Sequence, residues 1–364
     1  MSAPQPSAAP ASANETPGSA APRRRFRRPI PDEAGVVGVL VLLVAGVGLF
    51  EPDFVRTTNL LTTTHNAVYV GLMACGMVFA LAMREVDLSV GGMYAMGIVV
   101  GALLIRDGVN TWVAALLVLA LSALVGAING VVTTYLRLPS FIVTLATSML
   151  LRGVGLALAE GKQITDLPQD DAFFRVLGGE ETLGVPNAVW VFAASVVVLT
   201  VLFTRTRFGA RVRAIGSNPE AAEFGGLPVT RTRIAALALS GLMAGLAAVL
   251  ALAFFIAGDP TIGQGYELTA IAAAIIGGTP LKGGSGSVLG AAAGTLILGV
   301  VTAALVFFDV PINWTTFATG GVILVAVGAA PLLRRFRDLR PEREPRAGRD
   351  PRPARGGRSS GRTP

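Results

Sequence analysis

The stretch Thr64–Met83, THNAVYVGLMACGMVFALAM, decides the fold class, and the residues after it, REVDLSVGG (Arg84–Gly92), decide how it ends. Its residues carry no fixed charge. As a helix rising 1.5 Å per residue they cover about 30 Å, the thickness of the hydrocarbon core of a bilayer. One such stretch would also suit the core of a soluble protein. The pattern recurs, however, in ten segments at about 34–50, 64–83, 88–105, 111–134, 138–159, 186–204, 234–257, 268–281, 285–308 and 314–333. No soluble core takes ten apolar helices. The composition agrees, because 52% hydrophobic and 15% charged residues leave too little charge to cover a soluble surface of this size. The expectation is an all-α integral membrane protein of about ten transmembrane helices. The eighth segment, LTAIAAAIIGGTPL, is short and ends in Gly277, Gly278 and Pro280, which predicts a broken or partial span.

Charge orients the spans. With an inside N-terminus, 25 of the 30 Lys and Arg residues fall in the two tails and in the loops around Arg84, Arg137, 205–233 and Lys282. Arg56, Arg106, Lys162 and Arg175 fall outside, and Arg152 falls within a span. Asp and Glu show no such bias, as expected when Lys and Arg alone set orientation. Both termini are therefore expected in the cytoplasm. Residues 1–29 (Ala/Pro/Ser-rich, ending in Arg23, Arg24, Arg25, Arg27 and Arg28) and 335–364 (Arg/Pro/Gly-rich) have too little apolar area to offset ordering entropy. They are expected to be disordered basic tails able to touch anionic lipid headgroups, flanking a polytopic transmembrane domain at 30–334. No cleaved signal peptide is expected. The net charge of +7 is explained by membrane topology, with no role for nucleic acid.

The single Cys75 and the single His65 exclude a disulfide framework and a clustered metal site, so no bound metal or cofactor is expected. The outside loop 160–185 carries Glu160, Asp166, Asp170, Asp171, Glu180 and Glu181. It reads either as a solvated acidic loop or as part of a docking face. The spacing Gly-x-x-x-Gly at Gly97/Gly101, Gly126/Gly130, Gly241/Gly245 and Gly290/Gly294 predicts closely packed helix faces.

Four segments go beyond a generic membrane protein. In REVDLSVGG, Asp87 or Ser89 is placed to cap the next helix, and Gly91 and Gly92 permit a close turn. In LRLPSFIVTLATSMLLRG (136–153), Pro139 suits a helix start, and Thr144, Thr147 and Ser148 form a polar edge. Arg152, a charge within that span, either pairs or snorkels, or else stands on a solute path. In the third, TRFGARVRAIGSNPEAAEFGG (206–226), Asn218 caps a helix that opens with Pro219 and Glu220. That helix continues through Ala221, Ala222 and Glu223 and stops at Gly225 and Gly226. It is too short to fold alone and suits either a surface turn or a knob presented to a partner. The fourth, GQGYEL (263–268) with AIIGGTPLKGGSGSVLG (274–290), is glycine-dense around Lys282. No Gly-Lys pair precedes Ser or Thr, which refuses a phosphate loop and leaves a tight re-entry between spans.

Taken in order, VDLSVGGM, LPSFIVTLATSMLLRG, TRFGARVRAIGSNPEAAEFGG and AAIIGGTPLKGGSGSVLG resemble the permease family of bacterial ribose/xylose-type ATP-binding-cassette importers, over roughly Asn59 to Leu333. The resemblance implies a homodimeric permease in the plasma membrane, two cytoplasmic ATPase subunits that use ATP and magnesium, and an external solute-binding protein. It implies that Asn218–Gly226 is the element coupled to the ATPase. It also implies that DLSVGG and GGTPLKGG frame the pathway, with Asp87, Ser89, Gly91, Thr144, Thr147, Arg152, Gly277 and Gly278 as candidate residues. The chain departs from the family in its long tails and at Glu85 and Lys282. A channel or an ion-coupled transporter is the rival, against which no acidic residue reads as plainly buried. A membrane-embedded enzyme lacks the paired carboxylates or His clusters that it needs. Permeases for branched-chain amino acids or nucleosides share the architecture.

Overall fold

The computed structural model describes residues 32–311 together with 314, 317–321 and 324. The tails 1–29 and 335–364, and most of the tenth expected segment at 314–333, lie outside the described residues, so the count of ten spans and the placing of both termini stay expectations.

Nine of the expected segments are helices. The order is α1 (Asp32–Phe50), α2 (Thr57–Ala82), α3 (Val90–Arg106), α4 (Thr111–Tyr135), α5 (Ser140–Leu158), the single turn α6 (Ala172–Phe174), α7 (Asn187–Arg205), α8 (Arg207–Ser217), α9 (Pro219–Phe224), α10 (Val229–Phe255), α11 (Tyr266–Ile276) and α12 (Val288–Phe307). Among the described residues, α2, α4, α5, α7, α10 and α12 are long and apolar enough to cross a bilayer. The fifth segment is one continuous helix. The eighth, α11, has only 11 residues, about 16 Å, and cannot cross alone.

Local chemistry sets the starts. Asn110 accepts from the amides of Trp112 and Val113 at the head of α4. Thr206 caps α8, Asn218 caps α9 and Ser287 caps α12. Proline precedes α5, α7 and α10, where its missing N–H and fixed φ cost nothing.

Helix α2 is the axis of the molecule, buried almost all round, with α10, α12, α11 and α7 against it. Small residues set the spacing. A Cβ at Gly126 would come 2.3 Å from the Leu237 carbonyl oxygen, and one at Gly241 equally close to the Ser122 carbonyl oxygen. So α4 and α10 touch backbone to backbone. Gly290 and Gly294 do the same for α12 against α11, and Gly97 and Gly101 admit Ala248 and Leu252 of α10. By contrast α4, α5 and α7 keep most of their apolar surface exposed, with Phe141, Leu145, Met149 and Leu150 outward on α5.

The loop 160–185 is ordered. Phe173 and Phe174 are buried, Asp171 accepts from the Thr111 hydroxyl and the Phe173 amide, and β1 (Glu181–Thr182) pairs with β2 (Val185–Pro186). Asp166, Asp170, Glu180 and Glu181 remain exposed.

Candidate functional site

Three linked features carry the chemistry. The first is a cavity of about 640 Å³ between α2, α11 and α12. Helix α2 supplies Asn59, Thr62, Thr63 and Asn66. The turn before α11 and its first turns supply Gln264, Tyr266 and Thr269, and α12 supplies Thr295 and Thr302. Among the described residues, no charged side chain lines it. The hydroxyls of Thr62, Thr269, Thr295 and Thr302 each donate to the carbonyl four residues back on their own helix. Their lone pairs therefore remain as acceptors.

The second feature lies beside that cavity. Glu267, next to Tyr266 on α11, turns away from the opening and pairs with Arg152 of α5 at 3.1 Å. Arg152 also donates to the Gly263 carbonyl at 2.8 Å. The pair sits on Gly91, where a Cβ would fall 2.0 Å from the Glu267 carboxylate and 2.8 Å from the guanidinium. Arg152 is thus paired and does not line the cavity, and Gly91 is the space that admits the pair. The N-terminus of α11 is tied down: the Tyr266 amide donates to Gly263, and those of Leu268 and Thr269 to Gly265. Tyr94 packs on Tyr266 and Tyr69 at 5.5 and 6.3 Å between ring centroids. His65 bonds Tyr69 at 2.9 Å and belongs to this aromatic cluster, in a buried position.

The third feature gathers the turns at the opposite end of α2. The Asp87 carboxylate accepts from the amide and hydroxyl of Ser89. The carboxylate closes the turn that leads into α3, and neither Asp87 nor Ser89 bonds a first-turn amide of that helix, so the capping expected of them is not made. Asn129 of α4 donates to the Ser89 hydroxyl at 2.9 Å and accepts from Thr147 of α5 at 2.7 Å. Thr144 receives the Leu88 amide and returns a bond to the Val86 carbonyl, while Ser140 receives the Val86 amide. Asp87, Ser89, Thr144 and Thr147 thus come together as a hydrogen-bonded knot, with the first three buried, apart from the cavity.

Two acidic residues are buried here, contrary to the expectation that none is. Asp87 is fully buried and Glu85 nearly so, the latter paired with Arg233 of α10 at 2.6 Å. The sequence hides them because both lie in a turn between spans, where burial is decided by what packs over the turn. Gly277 lies against the Gly290 backbone and Gly278 has φ +92°, so both serve the junction of α11 with α12. Lys282 is exposed in the turn that follows.

Helix α9 stands on this end. Asn218 accepts from the Ala221 amide at 3.0 Å, Pro219 opens the helix and Ala222 is its buried residue. Glu220, Ala221, Glu223 and Phe224 face outward, Phe224 at 94% exposure. Gly225 ends it with an ordinary φ, and Gly226, at φ +74°, is the position that needs glycine. Arg84 fixes the segment before α9, donating to the carbonyls of Gly216 and Ser217 at 2.7 Å each, while Gly284 donates to the Ala82 carbonyl at 2.8 Å. Sequence reasoning missed Glu267, Asn129, Asn66 and Gln264. The available signal was an amide or acid inside or beside an otherwise apolar segment.

The model of a family described as branched-chain amino acid transport system / permease component matches residues 59–327. The chain belongs to this permease family. The permease is 34% identical to the ribose import permease protein RbsC of Escherichia coli (strain K12) over 306 residues, 84% of this chain and 95% of the relative. It is 34% identical to the L-arabinose transport system permease protein AraH of the same strain over 312 residues, 85% and 94% of the two chains. It is 36% identical to RbsC of Bacillus subtilis (strain 168) over 288 residues, 79% and 89%. No solved structure matches it. The permease is a multi-pass membrane protein, and relatives of nearly its full length are sugar permeases.

Proposed function

We propose that this permease is the membrane-spanning subunit of an ATP-binding-cassette importer for an uncharged monosaccharide of the ribose, arabinose, xylose or galactose kind. It works in the bacterial plasma membrane as a homodimer, with two ATPase subunits and an external solute-binding protein. It binds no cofactor itself, and ATP and magnesium belong to the ATPase. The observation that carries the reading is similarity to ribose and arabinose permeases along nearly their whole length, combined with a cavity whose described lining residues carry no charge. An amino acid is a zwitterion and would need charged or strongly polarised partners, which that lining lacks. An ion-coupled transporter would need a titratable group on the path, whereas Asp87, Glu85 and Glu267 are all engaged away from the cavity.

Helix α9 supports a partner on the Arg84 end. Six residues bracketed by a cap and a left-handed glycine present an exposed Phe224 after the two acids Glu220 and Glu223. ATP-driven closure of the ATPase pair pushes α9, tilts the attached spans and switches the open side of the cavity. The outward apolar faces of α4, α5 and α7 are available to lipid and to a second copy. The test is a pull-down of the tagged chain from native membranes in mild detergent. Recovery of an ATPase and a solute-binding protein supports the importer. A chain that comes down alone and moves solute after ATP depletion replaces it with a channel or secondary transporter.

A further inference from the structure

Asn66 and Gln264 are exposed and line the 640 Å³ cavity, and neither side chain has a hydrogen-bond partner among the described residues. From this we infer that the cavity is a binding site for one sugar ring, held by Asn66 and Gln264 as donors, by Thr62, Thr269 and Thr302 as acceptors, and by Tyr266. The inference rests on the monosaccharide reading above and assigns it a place.

Depth is the first argument. Asn66 is exposed although it lies about 14 Å along α2 from Thr57, at 1.5 Å per residue. An amide turned to lipid at that depth lacks partners, so it faces a water-filled space or a polar solute. The donor and acceptor balance is the second. The threonine hydroxyl protons are spent on their own helices, which leaves acceptors, while the two amides offer donors as well as acceptors. A sugar hydroxyl is both donor and acceptor and satisfies such a lining, whereas a cation or an anion satisfies only half of it.

Charge exclusion is the third argument. The carboxylate nearest in sequence to the lining, that of Glu267, is held away by Arg152. The amides of Tyr266, Leu268 and Thr269 at the head of α11 are spent on Gly263 and Gly265, which leaves less of the positive end of the helix to draw a carboxylate. Tyr266 is braced by Tyr94 and gives a fixed aromatic wall for the C–H face of a ring.

The test uses the assembled transporter in membrane vesicles. Cys75 is fully buried, so Asn66→Cys and Gln264→Cys each place one accessible thiol in the cavity. A thiol reagent is applied with D-ribose, L-arabinose, D-xylose, D-galactose or L-leucine at saturating concentration. The sugar that the wild type imports should slow labelling about threefold or more, and leucine should leave it unchanged. Asn66→Leu and Gln264→Leu, at unchanged membrane abundance, should lower maximal uptake about three- to tenfold, the loss of one or two hydrogen bonds. Unprotected thiols together with unchanged uptake in both leucine variants would overturn the site and leave the importer intact. Import of leucine, or of none of the four sugars, by the wild type would instead overturn the monosaccharide reading beneath it.

Discussion

Arg152 of α5 and Glu267 of α11 form an ion pair at 3.1 Å that rests on the Cα of Gly91 in α3. Three helices meet there, and the ion pair ties the half-length α11 to α5 in addition to its packing on α2 and α12. Both side chains keep about a fifth of their surface exposed, at 24% and 19%. Removing one partner strands the other. Arg152→Gln should therefore cost roughly 2–3 kcal/mol, below the range for fully buried pairs. The double variant Arg152→Gln, Glu267→Gln should recover most of that loss. Thermal melting of the purified protein checks it, and a double variant no more stable than the single one refutes the coupling.

Gly91 makes a sharper prediction. A methyl group there would fall 2.0 Å from the Glu267 carboxylate. Gly91→Ala should lower both melting temperature and transport, whereas Gly153→Ala, with open space around its Cα, should leave both unchanged. Equal behaviour of the two variants would mean that the pair does not need this gap.

Arg84 joins the segment before α9 to the turn after α2, through two bonds of 2.7 Å. If α9 transmits force from an ATPase, Arg84→Ala should leave ATP hydrolysis largely intact while sugar moved per ATP falls about tenfold. Reconstituted vesicles measure both rates. A ratio equal to wild type would assign Arg84 to stability alone.

Phe224 is 94% exposed and contributes little to the folded state of the isolated chain. Phe224→Ala should leave the melting temperature within about 1 °C while weakening co-purification of the ATPase, as expected of an aromatic anchor worth about 2 kcal/mol. Gly226→Val, at a left-handed φ, should disturb the end of α9 more than Gly225→Val does. The reverse order would show that the partner, and not the backbone, selects glycine there.

Asn129 is buried and links Ser89 to Thr147. Asn129→Leu leaves both hydroxyls without that partner and should cost about 1–3 kcal/mol. Adding Ser89→Ala and Thr147→Val should recover part of it. A triple variant as unstable as the single one would locate the cost in packing.

The sequence by itself determined that the chain crosses a membrane many times, because apolar length is a property of each segment alone. It also determined where the helices start, because caps and prolines act within a turn: Asn110, Pro139 and Asn218 each mark one. The shortness of α11 was legible in Gly277, Gly278 and Pro280. Only the tertiary structure decided what the polar residues do. Asp87, Ser89, Thr144 and Thr147 are brought into one knot by packing of α3, α4 and α5, over sequence separations that no local pattern encodes. Glu85 and Glu267 acquire partners 148 and 115 residues away. Asn66 differs from the buried residues around it because a cavity beside α11 and α12 lies against it. Short-range chemistry sets the elements, whereas the partner of a buried polar group is chosen by helices that meet only after the chain has folded.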